Sequence, residues 1–303
     1  MDKKEGGKMH LYYYENDKLN KITDDGIRGF CLCERVNDEY MRSSVKGDHR
    51  GVGGIVKMER KRTNQEKVLL YGAAILLLLV FQEVLGKVGR FVADLISYRE
   101  FDPYKAFAWI SVHHIAETLI ALALILILSK QLKVDFGFSL GDRKKGNKFA
   151  VMYTIIFTGI TLVVHILMLI NNSLPVYDFP LNKNNILGTL GFQLLLSGPA
   201  EEILYRALPI TILVYIFGKN VKVKWGVTLE TIIASLLFAV AHMKWSLFPI
   251  TFEADYFQLF YAFAQGIILG KAYQDSRSII YPMFMHSISN VLMVGTGYLF
   301  LLL

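Results

Sequence analysis

The chain is 303 residues long, 53% hydrophobic and 13% aromatic, with a mean hydropathy of +0.37 and a formal net charge of +7. The apolar share exceeds the roughly 45–50% of soluble domains, which argues against a water-soluble globule. The basic excess lies beside apolar runs, so no nucleic-acid partner is needed to explain it, and with only two cysteines, Cys31 and Cys33, a disulfide scaffold is excluded.

Residues 1–67 open with MDKKEGGKMH, mix charges, show little periodicity and carry a glycine-rich patch, GDHRGVGG. They read as a polar, flexible cytoplasmic extension. No apolar stretch before Val68 has the pattern of a cleavable signal. Cys31 and Cys33 form a C-x-C pair here, by itself a weak metal signal. The GVGG at residues 51–54 lacks the strand, helix and spacing of a phosphate loop. The arm ends in KMERKR, a basic cluster suited to anionic lipid.

From residue 68 to 303 the pattern is that of an all-α fold, a polytopic transmembrane helix bundle. A crossing needs about 20 mostly apolar residues. Seven runs qualify: one from Val68 onward, then 106–129, 149–170, 186–217, 229–241 with its tail, 257–272 and 279–303. Pro199 and Pro209 interrupt the fourth run, and a break there would make eight spans. On the first run Glu83, Lys87, Arg90 and Asp94 share one helical face, as expected of ion-paired groups on an interfacial or partner-packed extension. In the second, His113, His114 and Glu117 read as helix-to-helix hydrogen-bonding groups, with the lining of a substrate entry path as the alternative, and His165 and Glu230 as packing or interfacial ones.

Basic residues alternate between loops. Lys130, Lys133, Arg143, Lys144, Lys145 and Lys148 collect on one, only Lys183 on the next, and Lys219, Lys222 and Lys224 on the one after. By the positive-inside rule the N-terminus is cytoplasmic. The chain is therefore expected to be an integral protein of a bacterial type of cell membrane, with the lipid bilayer as its constant partner.

Ionisable groups at bilayer depth cost a few kcal/mol each and need a partner or a purpose. In GPAEEILYRALP, residues 198–209, Glu202 and Arg206 are four apart and stack as an ion pair. Glu201 points about 100° away and is left over. Phe238 and His242, then His286 and Asn290, are also i,i+4 pairs. All lie roughly 12–25 Å from the cytoplasmic ends of their runs, within reach of one cavity. A carboxylate, two imidazoles and a carboxamide in such a cavity suit amide hydrolysis. Glu201 with His242 can hold and deprotonate a water, and His286 with Asn290 can donate to the oxyanion. Ser197, Ser287 and Ser289 show no partner base that would make them nucleophiles.

The ordered set EExxxR (Glu201, Glu202, Arg206), FxxxH (Phe238, His242) and HxxxN (His286, Asn290) resembles the CPBP or ABI family of membrane proteases, which includes the type II CAAX prenyl endopeptidases of the Rce1 kind. The resemblance covers residues 186–303. It implies an intramembrane endopeptidase in which Glu201 and His242 activate water and His286 and Asn290 form the oxyanion site. Glu202, Arg206 and Phe238 would support them, and the substrate would be a membrane-associated peptide or protein. It also implies a glutamate-dependent reaction with no metal cofactor. The alternative is zinc held by Glu201, His242 and His286, although the H-E-x-x-H spacing of zincins is absent. Two other functions stand as rivals: a non-proteolytic scaffold or bacteriocin immunity protein that uses the same pocket for binding, and a proton-coupled transporter. No inverted repeat or trans-bilayer path of ionisable groups supports transport.

Overall fold

A computed structural model of the chain describes residues 11–15, 18–22, 63–247 and 250–303. The chain divides into two compact units, Met1–Leu70 and Tyr71–Leu303. In the first unit, strands β1 (Leu11–Glu15) and β2 (Lys18–Ile22) pair antiparallel, Leu11 opposite Ile22. The run Leu11–Tyr14 is rich in aromatic residues, which favour strands. Cys31, Cys33 and the GVGG stretch lie outside the described residues.

The helices are α1 (Asn64–Asp94), α2 (Ala108–Leu132), α3 (Arg143–Ile170), α4 (Lys183–Phe192), α5 (Gly198–Glu202), α6 (Leu208–Phe217), α7 (Leu229–Ala241), α8 (Tyr256–Ser276) and α9 (Ile280–Leu302). Their starts follow local chemistry. A capping box opens α1, where the Thr63 N–H donates to Glu66 Oε2 at 2.8 Å and the Glu66 N–H to Thr63 Oγ1 at 3.2 Å. At α2 the fully buried Asp102 accepts from the N–H groups of Ala106, Phe107 and Ala108 at 2.7–3.0 Å, satisfying donors the helix cannot. Asp142, Asn182, Thr228 and Asp255 cap α3, α4, α7 and α8.

Among the described residues four helices, α1, α2, α3 and α9, are long and apolar enough to cross a membrane. The other expected crossings take different forms. The run at 229–241 is a helix of 13 residues, about 20 Å long and too short for a hydrocarbon core of about 30 Å. Its expected helical tail is instead an antiparallel hairpin, β3 (Lys244–Leu247) with β4 (Ile250–Glu253). The α8 helix has 21 residues but carries Gln258, Gln265, Lys271, Gln274 and Asp275 along its length.

The expected break at Pro199 and Pro209 is corrected. Residues 183–217 are helical throughout, α4, α5 and α6 being joined by π-turns at Gln193–Ser197 and Ile203–Ala207. Each proline stands near the start of the α segment that comes after a π-turn. Proline has no N–H and its ring collides with the carbonyl four residues back. A widened turn moves that carbonyl aside, so the helix continues where an α-helix would kink.

Packing is closest where side chains are small. A Cβ on Gly266 would meet Ser235 Oγ at 2.8 Å, and one on Gly270 would meet Thr231 Cγ2 at 2.7 Å, so α7 and α8 touch nearly backbone to backbone. At Gly198 a Cβ would strike the Met283 carbonyl and the Ser287 N–H, both at 2.7 Å, which seats α5 against α9. The exterior of α1, α2 and α3 is apolar, as at Leu77, Leu119 and Ile155, while Glu202, Arg206, Glu230, Thr231 and Gln265 are buried. This inside-out distribution suits a lipid solvent.

Candidate active site

Glu201 and Glu202 lie on the short α5, between the two π-turns, and both turn toward α9. There they meet opposite sides of one imidazole. His286 Nδ1 is 2.7 Å from Glu202 Oε1, and His286 Nε2 is 3.7 Å from Glu201 Oε2. A carboxylate can only accept, so Nδ1 carries the proton it donates to Glu202. Helical spacing alone separates the two glutamates by about 100°, yet a single histidine is bracketed by both.

The two carboxylates differ in surroundings. Glu202 is fully buried, with Arg206 Nη1 3.2 Å from its Oε1. The guanidinium lies 4.0 Å over the Phe238 ring, so its charge is offset by a carboxylate and an aromatic face. Glu201 instead keeps 19% of its side chain exposed. Its Oε1 accepts from Ser197 Oγ at 3.2 Å, and Ser197 in turn accepts from Asn290 Nδ2 at 2.9 Å. Ser197 thus links Asn290 to Glu201.

Phe238 is the hub between the histidines. Its ring meets His242 edge-on at 4.6 Å and His286 at 6.1 Å. His242 is not in mid-helix as its i,i+4 spacing suggested. It is the C-cap of α7, with Nδ1 2.9 Å from the Phe238 carbonyl. Among the described residues no hydrogen bond or ion pair joins His242 to Glu201.

One participant was missed. His114 on α2 stacks on Phe192 at 5.1 Å and brings Nε2 to 4.0 Å from Glu201 Oε1. The sequence signal was the polar cluster His113, His114 and Glu117, but its direction depends on how α2 packs against α5. His165 and Glu230 lie elsewhere: His165 Nδ1 is 2.9 Å from the Thr161 carbonyl, and Glu230 Oε1 accepts from the Val221 N–H at 2.8 Å. On the first helix Asp94 accepts from Trp109 Nε1 at 2.8 Å.

As a zinc site, Glu201, His242 and His286 fit poorly. Among the described residues, the one group of three or more potential ligands whose donor atoms lie mutually within 4.8 Å is His113, His114 and Glu117.

A membrane-type helix bundle with buried, paired carboxylates and imidazoles at its centre is the class that fold and site define. Residues 183–292, less than half of the chain, match the family described as type II CAAX prenyl endopeptidase Rce1-like. The match spans α4 to α9 as far as Leu292 and includes Glu201, Glu202, Arg206, Phe238, His242, His286 and Asn290. No curated protein and no solved structure matches the chain. This similarity and the four long apolar helices together point to an integral membrane protein.

Proposed function

We propose that the chain is an intramembrane endopeptidase in which Glu201 is the general base. The observation that carries this reading is the contrast between adjacent carboxylates. Glu202 is sealed and neutralised by Arg206, while Glu201 is partly exposed and faces His286, His114 and Ser197. A water between Glu201 and His242 would lose its proton to Glu201 as its oxygen attacks a peptide carbonyl. With Nδ1–H kept on Glu202, His286 would act as the doubly protonated imidazolium, so that its Nε2–H and the Nδ2–H of Asn290 donate to the resulting oxyanion. Collapse of the tetrahedral intermediate breaks the C–N bond, and the proton held by Glu201 passes to the leaving amine.

The substrate would be a membrane-associated peptide or protein, and the reaction would need no metal at Glu201. The finer topology belongs to the same reading. Residues 183–217 and α8 would cross with the four long helices, and the short α7 with its hairpin would enter the bundle from one side in the place of the seventh expected span. The N-terminus would face the cytoplasm of a bacterial cell.

The test is cleavage of membrane-anchored and prenylated peptides by the purified protein in detergent, wild type against Glu201→Gln. A carboxamide cannot take the proton, so a rate loss of about 10²–10⁴ is expected. Zinc content is measured in parallel and should be equal in both proteins if Glu201 is not a ligand. Cleavage that survives in Glu201→Gln would sink the mechanism and leave the pocket as a peptide-binding site.

A further inference from the structure

Next to the proposed catalytic carboxylate, α2 presents three side chains from little more than one helical turn. His113 Nε2 is 3.2 Å from Glu117 Oε1, and His114 Nδ1 is 3.4 Å from Glu117 Oε2. Each carboxylate oxygen thus faces a different imidazole. Read as an ion-paired cluster, the group leaves the buried Nδ1 of His113 without a hydrogen-bond partner, while Nδ1 of His114 has only Glu117 Oε2 at 3.4 Å. Such orphans are uncommon in a finished polar network.

The spacing suits a bound ion better. Zinc-type ions bind imidazole and carboxylate at about 2.0–2.1 Å in tetrahedral geometry, which sets neighbouring donor atoms about 3.3–3.4 Å apart. The distances of 3.2 and 3.4 Å run to the two different oxygens of Glu117, and one donor atom from each of the three residues lies within 4.8 Å of the others, close enough to share one ion. The cradle is enclosed. A Cβ on Gly89 would stand 2.9 Å from Glu117 Cγ and 3.0 Å from His113 Nδ1, so α1 closes one side only because glycine is there. Trp109 stacks on His113 at 5.6 Å. Both histidines nevertheless keep 12% of their side chains exposed, leaving a path for a small ion.

We propose that His113, His114 and Glu117 bind a divalent transition-metal ion of the zinc class, and that His114 links this ion to Glu201. Two imidazoles and one carboxylate select such ions over calcium and magnesium, which take oxygen ligands. With Nδ1 on the metal, His114 must carry its proton on Nε2, the nitrogen 4.0 Å from Glu201 Oε1. A metal-bound histidine that presents its other N–H to a carboxylate is a common way to orient the ligand. The ion would therefore hold His114 as a donor to Glu201. Metal binding does not depend on whether the chain cleaves peptides; the link to catalysis rests on the reading of Glu201 as base.

The full-length protein with Cys31→Ser and Cys33→Ser, which removes thiolate ligands, is purified in detergent, stripped with a chelator and titrated with Co²⁺, then Zn²⁺. One equivalent of Co²⁺ with a visible tetrahedral spectrum, displaced by Zn²⁺, is expected. His113→Gln and Glu117→Gln should each weaken binding about 10-fold or more, and Glu201→Gln and His286→Gln should leave the stoichiometry unchanged. A monodisperse elution profile checks each fold. His113→Gln, at a partly exposed position, decides the matter should Glu117→Gln fail to fold. No binding by the stripped protein overturns the proposal. So does binding that survives His113→Gln but is lost in His286→Gln, because the ion would then sit in the other pocket.

Discussion

Two adjacent glutamates can carry different tasks only if their environments separate them. Glu202 and Arg206 are at most 1% exposed, so each depends on the other for charge balance. The pair also fixes Nδ1 of His286, which ties structure to the reacting side of the ring. Removing Arg206 leaves a buried carboxylate uncompensated, and breaking such a pair typically costs about 3–5 kcal/mol. Arg206→Ala should therefore unfold at a clearly lower temperature in detergent than the wild type. A variant as stable as wild type would show that Glu202 is not held by its charge partner. The same contrast explains why Glu201→Gln is expected to be a defect of rate with little change in stability. Glu201 keeps 19% side-chain exposure and has no arginine to leave stranded.

The helical stretch of residues 183–217 owes its shape to prolines absorbed by π-turns. Those turns set the phase of α5, which is why Glu201 and Glu202 can both reach α9. Contact between α5 and α9 rests on Gly198, whose added Cβ would collide with backbone atoms of Met283 and Ser287 that cannot move independently. Gly198→Ala should push α9 away, separating His286 and Asn290 from Glu201 and Ser197. We expect cleavage to fall by at least about 10²-fold, the penalty for misplacing reacting groups by an ångström, with a lower melting temperature. Retained activity would show that the interface has slack.

At the start of α3, Asp142 is held below the usual aspartate range. The backbone N–H of Lys145 is the main cause, and the Lys145 side chain, 3.4 Å away, adds to it. A depressed folded-state pKa gives stability that is present above the unfolded value, about 3.9, and is lost as pH falls through the folded one. Between about pH 5 and 3 the wild type should therefore lose more thermal stability than Asp142→Asn, which has no charge to lose. Parallel melting curves across that range would refute the assignment.

For the bundle as a unit, orientation decides which side a substrate reaches the site from. The basic loop before and into α3 and the loop carrying Lys183 are expected on opposite faces of the membrane. Single cysteines at Lys144 and Lys183, placed in a Cys31→Ser, Cys33→Ser background, should differ in reaction with an impermeant thiol reagent on intact cells. Lys183→Cys should label and Lys144→Cys should not. The reverse pattern would put the N-terminus outside and move the approach to Glu201 to the other side.

Spacing along a helix is local geometry, so the order of residues is enough to say which of them share a face: Glu202 with Arg206, Phe238 with His242, and His286 with Asn290. Runs of apolar residues likewise mark the long helices, because a lipid-facing helix must be apolar over its length. Packing of the bundle settles what depends on neighbours distant in sequence. It determines which glutamate is sealed by Arg206 under Phe238 and stops α7 at Ala241 short of a full span. It also keeps the helix intact through Pro199 and Pro209 and brings His114 beside Glu201 from a separate helix. These outcomes arise from interhelical approach, which glycines at positions 89, 198, 266 and 270 permit. No periodicity within one segment encodes where two segments will touch.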